Sequence, residues 1–404
     1  MRARRSTGTD TPIPPGDKQG VPVSTIVPYV VGNLNGTYNY IGQTRNIEIP
    51  AFVSPGSNYA VREKTVAGYL QYDLNTLLWD HRVKANAGLR YYSTDMTSTG
   101  SLSNGSTLEP VSVPNDYSGV LPALNVAVFV QPDLVARFSA NRDISRPALA
   151  NLAAAGTIST APFGGSLSIG NPYLKPFIAN SVEGSLEYYD GKVGFASVGV
   201  FYKKMDNFIS SMTTVEPYSA TGYPLSFLLP GQTGSILYNV TEPVNVSGAS
   251  IRGVELAVQR DFDFLPGFLQ HLGFVANGTY ADGSSPAIIN GAPVSLPLVD
   301  LSKYSANATL YYETRLWGLR ISEAYRGQYL DSAGGNGNIG EGYEATNNVD
   351  FAAHYNITPR MKVTLEGINM TNQHIVQFTD IYAKRIEVNT SSGRTFLLGA
   401  TAEF

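Results

Sequence analysis

Two-residue alternation of apolar and polar side chains recurs along most of this chain and limits the folds open to it. It is clearest in the last segment, where one face of an extended chain would carry Phe396, Leu398, Ala400, Ala402 and Phe404. The other face would carry Thr395, Leu397, Gly399, Thr401 and Glu403. Similar alternation occurs near residues 83–91, 134–141, 254–259, 272–280 and 349–357. Because successive side chains of a strand point to opposite sides, the pattern predicts β-strands with one apolar face.

The composition indicates where those apolar faces lie. Of the 404 residues, 43% are hydrophobic but only 15% are charged, whereas soluble domains usually carry about 25% charged residues. No window approaches about 18 consecutive apolar residues, which excludes a helical membrane span. Low charge together with 25 tyrosines and 40 glycines is typical of a transmembrane β-barrel, in which lipid-facing and lumen-facing residues alternate.

The predicted connections between strands alternate between short and long. Short connections are expected at residues 75–82, 131–133, 189–192, 260–270, 313–317 and 357–360, and long ones at 93–117, 143–177, 207–237, 282–302, 330–344 and 372–394. Short periplasmic turns and long extracellular loops are typical of bacterial outer-membrane barrels. About thirteen strands fit between Val61 and Phe404, whereas a complete bacterial barrel has an even number. We therefore expect an all-β fold, a partial antiparallel transmembrane barrel.

Several stretches carry a family resemblance in consistent order. They are AVREKTVAGYLQYDL (60–74), VKANAGLRYYSTDMTSTG (83–100), SRPALANL (145–152), GNPYLKP (170–176), SVEGSLEYY (181–189), VGVFYKKMDNFI (198–209), IRGVELAVQRDFDFLPG (251–267), EGINMTNQ (366–373) and GRTFLLGATAEF (393–404). Together they resemble the barrel of the large proteobacterial TonB-dependent outer-membrane receptors.

The resemblance implies a C-terminal part of a plugged transporter of about 22 strands. About nine strands, the plug, the TonB box and the signal peptide would then precede Met1. Residues 1–58 would be the remnant of an extracellular loop, and residues 59–404 would be barrel. Phe404 resembles the signal that the barrel assembly machinery reads, and an aromatic residue at this place can also serve as an interface anchor.

The function implied by the resemblance is energy-coupled uptake across the Gram-negative outer membrane. The substrate would be a carbohydrate or a ferric siderophore, and the partners would be the TonB complex (through the plug) and outer-membrane lipid. Two alternatives stay open, a passive porin-like barrel and a soluble all-β binding module.

The candidate site residues follow from the alternation and from the loops. The alternation directs eight charged side chains into the lumen: Arg90, Arg137, Glu183, Glu187, Glu255, Arg320, Arg326 and Glu366. Such charges could contact a plug, line a polar path, or simply be hydrated. Four aromatic residues in the long connections could stack on a sugar or an aromatic chelate: Tyr218, Tyr223, Phe227 and Tyr329.

The sequence offers no support for an enzyme or a nucleic-acid partner. It has no cysteine, and its four histidines lack the HExxH spacing of a zinc site. A GxGxxG pattern at Gly335, Gly337 and Gly340 lacks the strand and helix that a dinucleotide site requires. A net charge of −4 disfavours nucleic acid. We therefore expect no catalytic residues, metal or cofactor.

Overall fold

A computed structural model describes residues 58–103, 108–289, 292–332 and 340–403, all within the unit Gly56–Phe404. The expectations for residues 1–57 and for Phe404 lie outside these residues. So do Gly335 and Gly337 of the GxGxxG pattern.

The described residues form 22 strands and four short 3₁₀ helices. The strands are β1 Tyr59–Leu78, β2 His81–Ser103, β3 Leu108–Gln131, β4 Leu134–Ser145, β5 Gly156–Ala161, β6 Gly164–Ile169, β7 Phe177–Tyr189, β8 Phe195–Asp206, β9 Phe208–Pro217, β10 Leu237–Val246, β11 Ala249–Asp261, β12 Leu272–Ile289, β13 Ala292–Pro297, β14 Tyr304–Glu313, β15 Trp317–Arg326, β16 Tyr329–Ser332, β17 Glu341–Tyr343, β18 Thr346–Thr358, β19 Met361–Ile368, β20 His374–Thr379, β21 Arg385–Ser391 and β22 Thr395–Ala402. The helices are Leu149–Leu152, Tyr218–Thr221, Leu225–Phe227 and Gly267–His271, and none is long or apolar enough to cross a membrane.

Thirteen of the strands form one antiparallel meander. Its order is β1, β2, β3, β4, β7, β8, β11, β12, β14, β15, β18, β19 and β22, each hydrogen-bonded to the next. The predicted number of strands and their antiparallel order are confirmed. Among the described residues β1 and β22 do not pair, so the sheet is open there.

The connections alternate between the two ends of the meander, as predicted. One end, the turn end, carries short links such as Trp79–Asp80, and the other, the loop end, carries the long ones. The prediction of a loop at residues 93–117 was wrong, because β2 and β3 continue there as a long hairpin. The apolar alternation fades where the outer face of this hairpin becomes polar, and backbone pairing continues without that signal.

The two faces of the meander differ in chemistry. The outer face exposes apolar side chains on nearly every strand, including Leu70, Leu89, Leu124, Leu186, Val200, Leu256, Leu310, Ile321, Leu365 and Leu398. On β14 the outward tyrosines Tyr304 and Tyr312 are eight residues apart, which is about 26 Å along a strand. This matches an apolar band with aromatic residues at both borders. Glu323 also lies on the outer face, opposite Ala308 and Val349, and the structure offers no explanation for it.

Aromatic rings pack over glycines of the neighbouring strand in the thirteen-strand meander, which we call the wall. Four register pairs have this form: Tyr92 with Gly119, Phe201 with Gly253, Tyr311 with Gly273 and Phe351 with Gly367. In each pair a Cβ on the glycine would overlap the ring. The rings therefore fill the space that a side chain would otherwise occupy, and Gly253 marks a close approach of this kind.

The long connections have a hydrophobic core of their own, which we call the loop core. It comprises Leu102, Ile158, Leu167, Tyr218, Phe227, Tyr238 and Val240, all buried. It joins the tip of β2 to the β4–β7 and β8–β11 connections, and β6 and β10 pair in parallel inside it. A separate four-stranded sheet, β16–β17–β20–β21, is built from the last two long connections.

We predict that Gly253→Ala destabilises the wall, because its methyl group would overlap the Phe201 ring and the Tyr280 carbonyl oxygen. Overpacking of this kind costs about 1–3 kcal/mol. Gly199→Ala on the adjacent strand is the matched control. The methyl group added there would lie 3.8 Å from the Gly184 carbonyl oxygen, which is an ordinary van der Waals contact. Denaturant unfolding in detergent should separate the two variants. Equal effects would contradict the ring-over-glycine account.

We also predict that the loop core loses stability at high pH. Burial raises the pKa of both Tyr218 and Tyr223 to about 12, from an ordinary value of 10.0. The unfolded chain therefore releases these protons at lower pH than the folded chain. The contribution of these two protonated phenols to the free energy of unfolding is fully present below pH 10 and is lost as the pH rises through about 12. A tyrosinate absorbance titration of wild type against Tyr218→Phe and Tyr223→Phe should show two late-ionising phenols, and titration of both near pH 10 would refute this.

Candidate functional site

The inner face of the meander encloses the main candidate site. A cavity of about 1420 Å³ is lined by β1, β2, β3, β4, β7, β8, β11 and β12. Its lining combines charges with neutral amides and hydroxyls, including Asp73, Lys84, Asn86, Asn125, Arg137, Glu183, Glu187, Lys203, Glu255, Asn277 and Thr279. The strand period places all of these on one face, because register partners such as Asn86 and Asn125 lie side by side and share a hydrogen bond of 2.9 Å.

An ion pair with a supporting tyrosine lies on β4 and β7. Arg137 Nε is 2.9 Å from each Glu187 oxygen, and the Tyr189 hydroxyl donates to Glu187 Oε2 at 2.8 Å. The guanidinium is about half exposed, so the pair contributes about 0–1 kcal/mol to stability. Its more evident effect is to hold the carboxylate and the guanidinium in fixed positions on the inner wall.

A second pair joins the next two strands. Lys203 Nζ lies 3.2 Å from Glu183 Oε1, and both line the cavity. Lys203 and Tyr189 were not among the predicted site residues. The alternation of Val198, Val200 and Tyr202 on the outer face already placed Lys203 inward, and this signal could have identified it.

The other predicted lumen charges occupy the same face at separate places. Glu255 lines the main cavity. Arg90 pairs in register with Leu121, Arg320 with Ala352, and Glu366 with Leu397.

The last of these charges, Arg326, lines a second cavity of about 540 Å³ near the loop end. It donates to Asp300 O at 3.1 Å and to Ser302 Oγ at 3.0 Å. Its role is thus to hold the 298–303 connection against the wall.

The aromatic candidates are engaged within the protein. Tyr218 and Phe227 are 0% and 1% exposed in the loop core, because these connections are long enough to form a core of their own. Tyr329 stacks on Tyr343 with ring centroids 5.3 Å apart, and the Arg326 guanidinium lies 3.5 Å from its ring centre. Only Tyr223 of the four is half-buried without such a ring partner among the described residues, at the margin of the loop core.

The β4–β7 connection is attached to the inner wall rather than standing free above it. Arg146 Nη2 donates to Thr65 Oγ1 at 2.9 Å, and Arg146 Nε lies 3.7 Å from Glu63 Oε2. Farther along, Ala154 N donates to the buried Ser98 Oγ at 2.8 Å. The inner face of β1 and β2 at the loop end is therefore covered by this connection.

The described residues contain no group of three or more His, Asp or Glu side chains that could hold a metal ion. What the wall offers is a polar, mixed-charge surface that can hydrogen-bond a passing solute or a protein partner. A surface of this kind suits binding and passage.

Solved structures with a similar fold include siderophore receptors. The chain is similar to the siderophore receptor PiuA from Acinetobacter baumannii, with 12% identity and a TM-score of 0.56 over 85% of this chain and 44% of that one. It is similar to the ferric-catecholate import receptor Fiu from K12 E. coli, with 15% identity and a TM-score of 0.56 over 86% and 45%. It is also similar to a mutant of the ferric enterobactin receptor PfeA from Pseudomonas aeruginosa in complex with enterobactin. The identity is 13% and the TM-score is 0.52, over 86% of this chain and 55% of that one.

The chain thus spans about half the length of these receptors. No curated protein matches it in sequence. The model of the family described as "TonB dependent receptor-like, beta-barrel" matches residues 8–370, which is most of the chain. With thirteen antiparallel strands, an apolar outer face and a polar inner face, the chain belongs to the TonB-dependent receptor β-barrel family.

Proposed function

We propose that this chain forms part of the wall of a Gram-negative outer-membrane receptor that takes up a small nutrient by energy coupling to TonB. The observation that carries the proposal is the two-faced meander, apolar outside and polar inside, with long connections folded over its inner face at one end. In this proposal the loop end is extracellular, the solute passes along the polar inner face, and the plug and its contact with TonB lie outside the described strands.

The proposed lumen charges include the two ion pairs Arg137–Glu187 and Lys203–Glu183. Each leaves partly exposed donors and acceptors on the inner wall, which a plug or a solute could bind. We propose Glu255, Arg90, Arg320 and Glu366 as further members of this surface, on the same face by register. The terminal strand β22, with Phe404 beyond it, is proposed to engage the barrel assembly machinery.

Two substrate classes fit this wall. The receptors of similar fold bind or import siderophores, which supports a ferric chelate. The inner face of β12, β14 and β15 carries neutral groups in contact, Asn277 with Asn307 and Thr309 with Ser322, which supports a carbohydrate with many hydroxyls. The proposal is energy-coupled uptake of one of these two classes.

The proposal predicts that deleting the gene abolishes uptake of one labelled class, ferric siderophore or oligosaccharide, at low external concentration. A protonophore should abolish the same uptake in wild-type cells, because TonB-dependent transport draws its energy from the inner membrane. Uptake would be measured by accumulation of radiolabel, with glucose accumulation in the deletion strain as the control for cell viability.

Uptake that depends on the gene but persists with the protonophore would indicate a passive porin-like barrel. A protein that stays in the aqueous phase after detergent extraction would indicate a soluble all-β binding module. Either result would overturn the proposed function.

A further inference from the structure

The outer face changes abruptly from apolar to basic on strands β4, β7, β8 and β11. One row of register neighbours is Phe138, Gly184, Val200, Val254 and Tyr280. Two residues farther toward the loop end the row is Ala140, Val182, Tyr202, Arg252 and Asp282, and the next is Arg142, Asn180, Lys204, Ser250 and Ser284. The cations Arg252, Arg142 and Lys204 thus begin in the two rows beyond the apolar row.

Two of these cations have no carboxylate partner. Arg252 is not one of them, because Asp282 forms ion pairs with Arg252 Nη2 and with Lys303 Nζ, each at an N···O distance of 3.4 Å. Arg142 and Lys204 are exposed, and neither forms an ion pair within the described part of the chain.

The side chain between the two cations helps to hold them in place. Asn180 lies between Arg142 and Lys204 in the row, and its Oδ1 accepts from Arg142 Nε at 2.8 Å. Its amide nitrogen donates to Asp206 Oδ2 at 3.4 Å, and Asp206 lies in the next row toward the loop end. The strands β4 and β8 are two spacings apart, about 10 Å, which long basic side chains can bridge onto one anion.

We propose that Arg142 and Lys204, with Asn180 between them, bind the phosphate of an anionic lipid at the border of the membrane. Ala140, Val182 and Tyr202 lie between this site and the row that contains Val200. An anion held there would therefore have its attached chains across these three side chains, toward Val200. Lipid phosphates occupy this position at a membrane surface, and basic residues at the surface attract them. The proposal rests on the membrane placement proposed above and is independent of the transported substrate.

The test uses the detergent-solubilised full-length protein and titrates it with short-chain phosphatidate, followed by calorimetry. Lys204→Ala and Arg142→Ala should each weaken binding roughly fivefold, which is the factor that corresponds to one surface cation. The matched control is Lys203→Ala, a neighbour with the same charge on the inner face, paired with Glu183. It should bind phosphatidate as wild type does, and Lys204→Arg should retain binding.

Three outcomes would overturn the proposal. The first is equal weakening by Lys203→Ala and Lys204→Ala, and the second is unchanged binding in both Lys204→Ala and Arg142→Ala. The third is inorganic phosphate binding as tightly as phosphatidate, which would remove the lipid from the assignment. Because binding is measured on purified protein, a failed uptake assay leaves this result unaffected, and loss of phosphatidate binding leaves the uptake result unaffected.

Discussion

Backbone hydrogen bonding between neighbouring strands is the constraint on which the rest of this structure depends. Lipid supplies no donors or acceptors, so each N–H and C=O of a membrane-spanning wall must be paired on the next strand. The thirteen-strand meander does this by pairing each strand with its sequence neighbour in the wall. Once the register is fixed, the side-chain period of two decides which residues face lipid and which face the lumen.

That division of faces makes the two sides of the wall chemically independent. Lys203 and Lys204 are adjacent in sequence, yet one pairs with Glu183 on the inner wall and the other stands at the edge of the apolar outer surface. A substitution at one position can therefore change the lumen or the membrane border without disturbing the other. The long connections add a third environment, the loop core, to which the wall strands contribute Leu102 and, at its margin, Val111.

The alternation of side chains was sufficient to predict the wall and its faces, because burial against lipid imposes a period that the sequence must carry. Val254 and Leu256 outward and Glu255 inward follow directly from that period. The loop core did not follow, since Tyr218, Phe227 and Tyr238 come from connections without periodicity and meet only after the chain has folded. The extended β2–β3 hairpin was missed for a related reason. Its outer face is polar there, and its inner face carries the apolar residues Met96 and Leu102 without regular alternation. Ion pairs could be predicted only in part. The alternation predicts which face Lys203 lies on, but it does not predict that Glu183 on another strand is its partner.

The rings packed over Gly119, Gly253, Gly273 and Gly367 bear on how the wall avoids misalignment. A strand that slips by one residue turns its apolar side chains inward and is penalised at once. A slip of two residues keeps every side chain on its proper face, so hydrophobicity alone does not oppose it. It would, however, place Phe201 opposite Ile251 or Glu255 instead of Gly253, where a side chain already fills the space. The glycine and the ring packed over it therefore favour the native register over a two-residue slip, which the hydrophobic pattern alone does not disfavour.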